Sequence, residues 1–161
     1  MTRQMRKSER EVKGFDEKIS ILDRCEVIRI GFNDSPFPYI VPISYGYKVV
    51  DGKVSVFIHC AKEGRKVELI EKDPHVCLEC DLSCLFEGER RGVSCDFESL
   101  ICEGTVTEVH SAEASEGLRL ILDHCGYTER KFEDSALENL KIYRIDLESI
   151  SGKRRGAGHP Q

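Results

Sequence analysis

The feature that most constrains this chain is a repeated alternation of apolar and polar side chains, interrupted by short turns. Ile28, Ile30 and Phe32 fall on one face of Glu26–Phe32, as a half-buried strand requires, because successive side chains on a strand point to opposite faces. Asn33-Asp34-Ser35-Pro36 is turn chemistry. The alternation resumes with Tyr39, Val41, Ile43, Tyr45 and Tyr47 on one side of a strand over 39–47. Asp51-Gly52 is a hairpin signal, and Val54, Val56 and Ile58 carry the strand that follows. Three strands joined by connections this short are expected to form an antiparallel meander.

Elsewhere the period changes. A helix is expected over 16–24, with Asp16 as N-cap and Ile19, Ile21 and Leu22 as its apolar stripe. A second helix spans 64–72 and stops at Asp73-Pro74, because a residue before proline disfavours the α region. Alternation returns over 75–82, residues 86–96 read as a loop or an extended hairpin tip, and 97–109 as a long strand. Ser111 caps a third helix whose Leu118, Ile121, Leu122 and Cys125 follow helical spacing, and Gly126 is its C′ residue. A short helix near 136–140 and a strand over 141–147 complete a domain expected to span 1–150. The remainder, 151–161, reads as a basic flexible tail. About six strands with helices packed at the ends suggest a small β-barrel.

Size and charge narrow the function classes. The 161 residues suffice for one sizeable core. A net charge of −5 and a pI near 5.6 argue against a general nucleic-acid binder. No apolar run approaches the roughly 20 residues that span a bilayer, and the polar start Met1-Thr-Arg-Gln-Met-Arg-Lys7 lacks a signal-peptide core. A cytoplasmic protein with no membrane partner is therefore expected, its eight cysteines held as thiols.

The segment His59-Cys60-Ala61-Lys62-Glu63-Gly64-Arg65-Lys66 carries the clearest chemistry. A strand ends, a glycine allows close backbone approach, and a helix opens with two adjacent cations. Cations are unfavourable at a helix N-terminus, unless an anion sits on the free N–H groups and takes charge-assisted bonds from both side chains. The plainer alternative is a solvated surface pair offset by Glu63 and Glu68. Pro42 is a second irregularity. A proline inside a strand cannot donate to the ladder and belongs at an edge or bulge, where Val41-Pro42-Ile43-Ser44-Tyr45 would present backbone groups to a flat, polar-edged ligand or simply protect the edge.

Cys77-x2-Cys80-x3-Cys84 invites a zinc reading, but on a strand Cys77 and Cys80 point to opposite faces. Cys80 and Cys84 instead join Val76, Leu78 and Leu82 on the apolar side, where free cysteine packs as a small hydrophobe. No metal site is expected.

Tyr39-Ile-Val-Pro-Ile-Ser-Tyr45, Asp51-Gly-Lys-Val-Ser-Val-Phe-Ile-His59, Glu63-Gly-Arg-Lys66 and Asp73-Pro-His-Val-Cys77 together resemble the pyridoxamine 5′-phosphate oxidase-related FMN-binding proteins, the nitroimidazole-resistance branch above all. Met5-Arg-Lys7, Glu98-Ser-Leu-Ile101 and Ile150-Ser-Gly-Lys-Arg154 extend the resemblance over nearly the whole chain. It implies a mainly β fold with helices, an antiparallel Greek-key-like split β-barrel, working as a homodimer with FMN at the interface. Arg65 and Lys66, with Gly64, would hold the phosphate. Pro42, Ile43, Ser44 and Tyr45 would line the flavin ring chiefly through backbone groups. His59, Cys60 and Ala61 would follow the ribityl-phosphate side, while Ser99, Leu100, Ile101 and Lys153 would approach from the other subunit. Trp is absent, and the chain ends in Gly152-Lys-Arg-Arg155 before its last residues, unlike the substrate motif of the vitamin B6 oxidases themselves.

The resemblance thus implies an FMN-dependent oxidoreductase, nitroreductase-like, with NAD(P)H as donor and a small-molecule substrate. Lys153 or Arg154 would stabilise the reduced flavin. Two alternatives are a haem-binding split barrel, with His59, His110 or His124 as ligands, and a non-catalytic flavin-binding module.

Overall fold

The computed structural model describes residues 5–89, 92–132 and 134–156, without the side chains at 83–94 and 134. Eight strands and three α-helices follow in the order β1 (Glu11–Val12), α1 (Phe15–Arg24), β2 (Ile28–Phe32), β3 (Tyr39–Ile43), β4 (Gly46–Val50), β5 (Lys53–Ala61), α2 (Arg65–Lys72), β6 (His75–Glu89), β7 (Gly92–Val109), α3 (Ser111–His124) and β8 (Leu140–Arg155). They form one sheet ordered β3-β2-β6-β7-β8-β5-β4, with β1 added against β8. Every pairing is antiparallel.

The expected strand over 39–47 is in fact two, and the three-strand meander is corrected accordingly. β3 pairs only with β2 and β4 only with β5, so these consecutive strands occupy opposite edges of the sheet. Ser44 and Tyr45 alone connect them. Three Cα steps of about 3.8 Å reach at most roughly 11 Å, so the sheet must curl until its edges nearly meet. The edges do not pair, and the result is a split barrel. Pro42 sits on the edge strand β3, opposite Arg29, where a missing N–H breaks no inner ladder.

The curled sheet encloses the main core, which includes Ile28, Ile30, Phe32, Val54, Val56, Ile58, Leu78, Leu100 and Ile145. On its other face α3 buries Ala114, Leu118 and Ile121 against Phe57, Val109 and Ile142. That contact depends on Gly46. A Cβ there would lie 2.2 Å from the carbonyl carbon of Leu120, so only glycine lets α3 rest on β4.

Local signals fared unevenly. Gly14, not Asp16, is the N-cap of α1, and Asp16 instead places its charge in the first turn. His110, not Ser111, is the N-cap of α3, with Ser111 at φ 52°. Gly126 does close that helix at φ 83°. Gly126 N–H donates to Asp123 O at 3.0 Å and Tyr127 N–H to Leu122 O at 2.8 Å, the paired bonds of a Schellman motif. Of the two readings of 86–96, the extended hairpin is the one found: residues 86–89 end β6 and 92–96 begin β7. β8 runs to Arg155, with Lys153 paired to Ser99 on one side and Glu11 on the other. Residues 151–155 are therefore sheet, not flexible tail, and residues 157–161 lie outside the described residues.

Candidate functional site

The split in the barrel creates a notch. β4 pairs with β5 only from Val50–Lys53 to Gly46–Phe57. Beyond Phe57, residues 58–61 retain β8 on one side, and among the described residues no strand covers their other edge. β3 likewise has β2 on one side and an uncovered edge on the other. Uncovered strand edges present free N–H and C=O groups. The β4–β5 ladder ends at the Gly46–Phe57 pair, and α2 opens at Arg65, four residues after β5 ends at Ala61.

That turn is built to attract negative charge. Gly64 adopts φ 132°, a conformation that favours glycine, and a Cβ there would meet nothing within 4 Å. No side chain caps α2. The first intrahelical bond runs from Glu68 N–H to Gly64 O at 3.1 Å, so the preceding N–H groups have no intrahelical acceptor. Arg65 donates from Nη2 to Asp34 Oδ2 at 2.7 Å and from Nε at 3.3 Å. Its guanidinium carbon lies 4.1 Å from the centre of the Tyr39 ring, which ties α2 to β3. Lys66 makes no hydrogen bond or ion pair among the described residues.

His59 supplies a further polar atom. Its Nδ1 is buried without a hydrogen-bond partner. Burial and, after it, the charge of Lys66 lower the imidazole pKa, which favours the neutral ring. Free helical N–H groups, an arginine edge, an unpaired lysine and a neutral imidazole are groups able to hold an anion such as a phosphate ester.

The remaining expected residues divide by face. Pro42 and Ser44 are exposed and Ile43 is half-buried, beside the notch. Tyr45, Cys60 and Leu100 turn their side chains into the core, so only their backbones remain available. The Tyr45 hydroxyl lies 2.5 Å from Leu22 O and 2.9 Å from Cys25 O and donates between them, which anchors the end of α1. Ser99, Ile101 and Lys153 sit on the outer face of the sheet, and Ile101 is 51% exposed. Along the sheet, β2, β6 and β7 stand between Pro42 on β3 and Lys153 on β8.

Two residues in contact with Arg65 were not singled out from the sequence. Asp34 reads as turn chemistry and Tyr39 as a strand aromatic, and only the fold brings both to Arg65. The histidines considered as haem ligands are dispersed in role. His124 Nε2 lies 2.8 Å from Cys25 O and its ring centre lies 4.4 Å from that of Tyr45, tilted by 43°, while His110 is exposed at the start of α3. Cys77 is exposed and Cys80 buried, on opposite faces as the strand period requires, and Cys84 lies outside the described side chains. A separate groove of about 750 Å³ is lined by Phe15, Lys48, Glu113, Arg144 and Asp146 among others. It contains none of the expected site residues, and Arg144 is already paired with both Glu113 and Asp146.

Similarities to known proteins agree with this geometry. No curated protein matches the chain. Among solved structures, a candidate 5-nitroimidazole antibiotic resistance protein from Bacteroides thetaiotaomicron superposes with a TM-score of 0.79 at 25% identity, covering 89% of this chain and 86% of its own. The flavocytochrome Anf3 from Azotobacter vinelandii gives 0.78 at 21% identity, with 97% of this chain and 74% of that one covered. A FAD and haem binding protein from Mycobacterium smegmatis gives 0.76 at 15% identity, covering 94% and 76%. The last two likenesses concern the fold alone. The family profile described as Pyridoxamine 5′-phosphate oxidase matches residues 16–154, nearly the whole described barrel, and the chain belongs to that family.

Proposed function

We propose that this protein binds FMN and acts as an FMN-dependent oxidoreductase, working as a homodimer that reduces a small molecule with electrons from NAD(P)H. The observation that carries the reading is the notch itself, with uncovered strand edges on both sides and an uncapped α2 whose first turn holds Gly64, Arg65 and Lys66. A phosphate on α2 directs the rest of the ligand along His59 and Ala61 toward Pro42 and Ser44. The α2 turn suits a terminal phosphate such as that of FMN.

A dimer would let residues on the outer face of the sheet reach the flavin of the other copy. Ser99, Ile101 and Lys153 stand on the outer face of β7 and β8, with β2 and β6 between them and β3, and we assign their contribution to the flavin to a partner. The outer face that carries them also exposes Ile40 and Ile101, apolar groups suited to burial between copies. Arg154 is committed to Glu98 and Glu17, which leaves Lys153 as the cation for the flavin ring.

Bound FMN would supply the hydride or electron chemistry. The chain's own groups bind the phosphate, orient the ring and place positive charge beside it. The nitroimidazole-resistance similarity makes nitro-compounds the first substrates to assay.

The test is the visible spectrum of the purified protein followed by anaerobic NADH or NADPH titration. A flavin spectrum that bleaches is expected. A Soret band would replace this reading with haem binding, and a flavin that neither nucleotide reduces would reduce it to a non-catalytic module. Arg65→Ala with Lys66→Ala should remove co-purifying FMN, and full retention would refute the phosphate assignment.

A further inference from the structure

Arg65 is held from two directions by residues far from it in the sequence. Asp34, in the β2–β3 turn, takes Nε and Nη2 on the single oxygen Oδ2. Its other oxygen, Oδ1, accepts the Ser35 N–H at 2.9 Å, which fixes the carboxylate to its own turn. Tyr39 lies beneath the guanidinium plane at 4.1 Å, and its ring packs 6.2 Å from Phe32 on the neighbouring strand. Both supports therefore belong to the β2–β3 hairpin, while Arg65 belongs to α2.

A guanidinium offers five N–H donors along two edges. Asp34 occupies the Nε–Nη2 edge, and the edge formed by Nη1 and the second Nη2 hydrogen makes no bond among the described residues. We infer that Asp34 and Tyr39 are positioning residues for the flavin phosphate, clamping Arg65 so that its free edge faces the α2 N-terminus. The inference rests on the reading of Arg65 as a phosphate ligand.

The opposite reading makes Asp34 a rival of the phosphate for Arg65. Geometry disfavours it, since the free edge can receive a phosphate without displacing the carboxylate. Repulsion between Asp34 and a phosphate on the far edge is weak at an exposed site, because water and salt screen it. Arg65, by contrast, is a long side chain that loses much rotamer freedom when a ligand must order it. A clamp removes that cost before the ligand arrives, so preorganisation is the larger effect.

Riboflavin isolates the effect, since it has the ring and ribityl chain of FMN and no phosphate. The measured quantity is the ratio of riboflavin to FMN dissociation constants, from fluorescence titration of apoprotein. Asp34→Ala and Tyr39→Leu should each lower this ratio about fivefold, a magnitude typical of one lost preorganising contact, with riboflavin binding unchanged. Tyr39→Phe should restore it, because the ring remains. A merely structural role would weaken both ligands alike and would refute the inference. Tighter FMN binding by Asp34→Ala would establish rivalry and overturn it as well. Arg65→Ala separates the two levels of argument. A lowered ratio there with normal ratios in the other variants sinks the clamp alone. An unchanged ratio in Arg65→Ala sinks the phosphate assignment and the clamp with it.

Discussion

Glu98 should be among the costliest polar residues to replace, and the geometry around it sets the size of the effect. Its side chain is 9% exposed and faces two arginines, Arg24 at 2.7 Å from Oε2 and Arg154 at 2.6 Å from Oε1. Burial works against its ionisation, but the two guanidiniums outweigh it and hold the carboxyl below the usual carboxylate range. Glu98→Gln preserves the shape, removes the charge and turns an amide NH2 toward one arginine. Exposed ion pairs contribute about 0–1 kcal/mol, while breaking a fully buried pair costs about 3–5 kcal/mol. Arg24 and Arg154 are 26% and 29% exposed and can regain water, so the expected loss lies between, about 2 kcal/mol. For a domain of this size each kcal/mol shifts Tm by about 2–4 °C, so Tm should fall by roughly 4–8 °C at pH 7. The variant and the parent must be compared as apoprotein, since bound flavin would raise both. The sign of the pH dependence follows from the lowered pKa. The stabilisation is complete above the unfolded carboxyl pKa of about 4.3 and is lost as pH falls through the lower folded value. The deficit of Glu98→Gln should therefore shrink in acid. An unchanged Tm at pH 7, or a deficit that persists undiminished in acid, would refute the argument.

Two further outcomes follow from single contacts. Gly46→Ala would set a Cβ 2.2 Å from Leu120 C and 2.4 Å from Ile121 N, backbone atoms that cannot rotate aside. Since α3 must lift from β4, the cost should reach about 3 kcal/mol or more, and a thermal melt within 2 °C of the parent (about 1 kcal/mol or less) would contradict it. His59 has a lowered pKa, so the unfolded chain takes up a proton near pH 6.5 while the folded one does so only at lower pH. Stability should then decline as pH falls below about 6.5. Denaturant titrations at pH 7.5 and 5.5 should show a smaller decline in His59→Gln, and an equal decline would show that another group is responsible.

What was readable in the sequence was local. The strand of Ile28, Ile30 and Phe32, the Asp51-Gly52 turn and the Gly126 helix end each depend on residues within a few positions, and each stands where expected. Ser111 misled because serine before an apolar helical run has the composition of a cap, and only the backbone shows that its φ is 52°. The strand over 39–47 misled for a different reason. Its alternation is nearly unbroken through Ser44, and periodicity reports which way side chains point, not which strand lies alongside. The change of partner from β2 to β5 is set by the curl of the whole sheet.

The same distinction separates the two halves of the candidate site. The anion-binding turn is a short continuous segment, and its strand, glycine and paired cations can be read in order. The notch exists because two edges 15 or more residues apart fail to pair, and only Pro42, a residue suited to an edge, hints at it. Arg65 spans both levels. Its charge is evident from its position after Gly64, whereas its orientation is determined by Asp34 and Tyr39, which a reading of neighbours in sequence assigns to a turn and a strand. A phosphate site needs the charge to attract its ligand and the orientation to distinguish that ligand from any other anion. On the phosphate reading proposed above, the first requirement falls to α2 and the second to the hairpin that holds Arg65. Substitutions in the β2–β3 hairpin should therefore alter which anions bind, even where the residues that bind them are untouched.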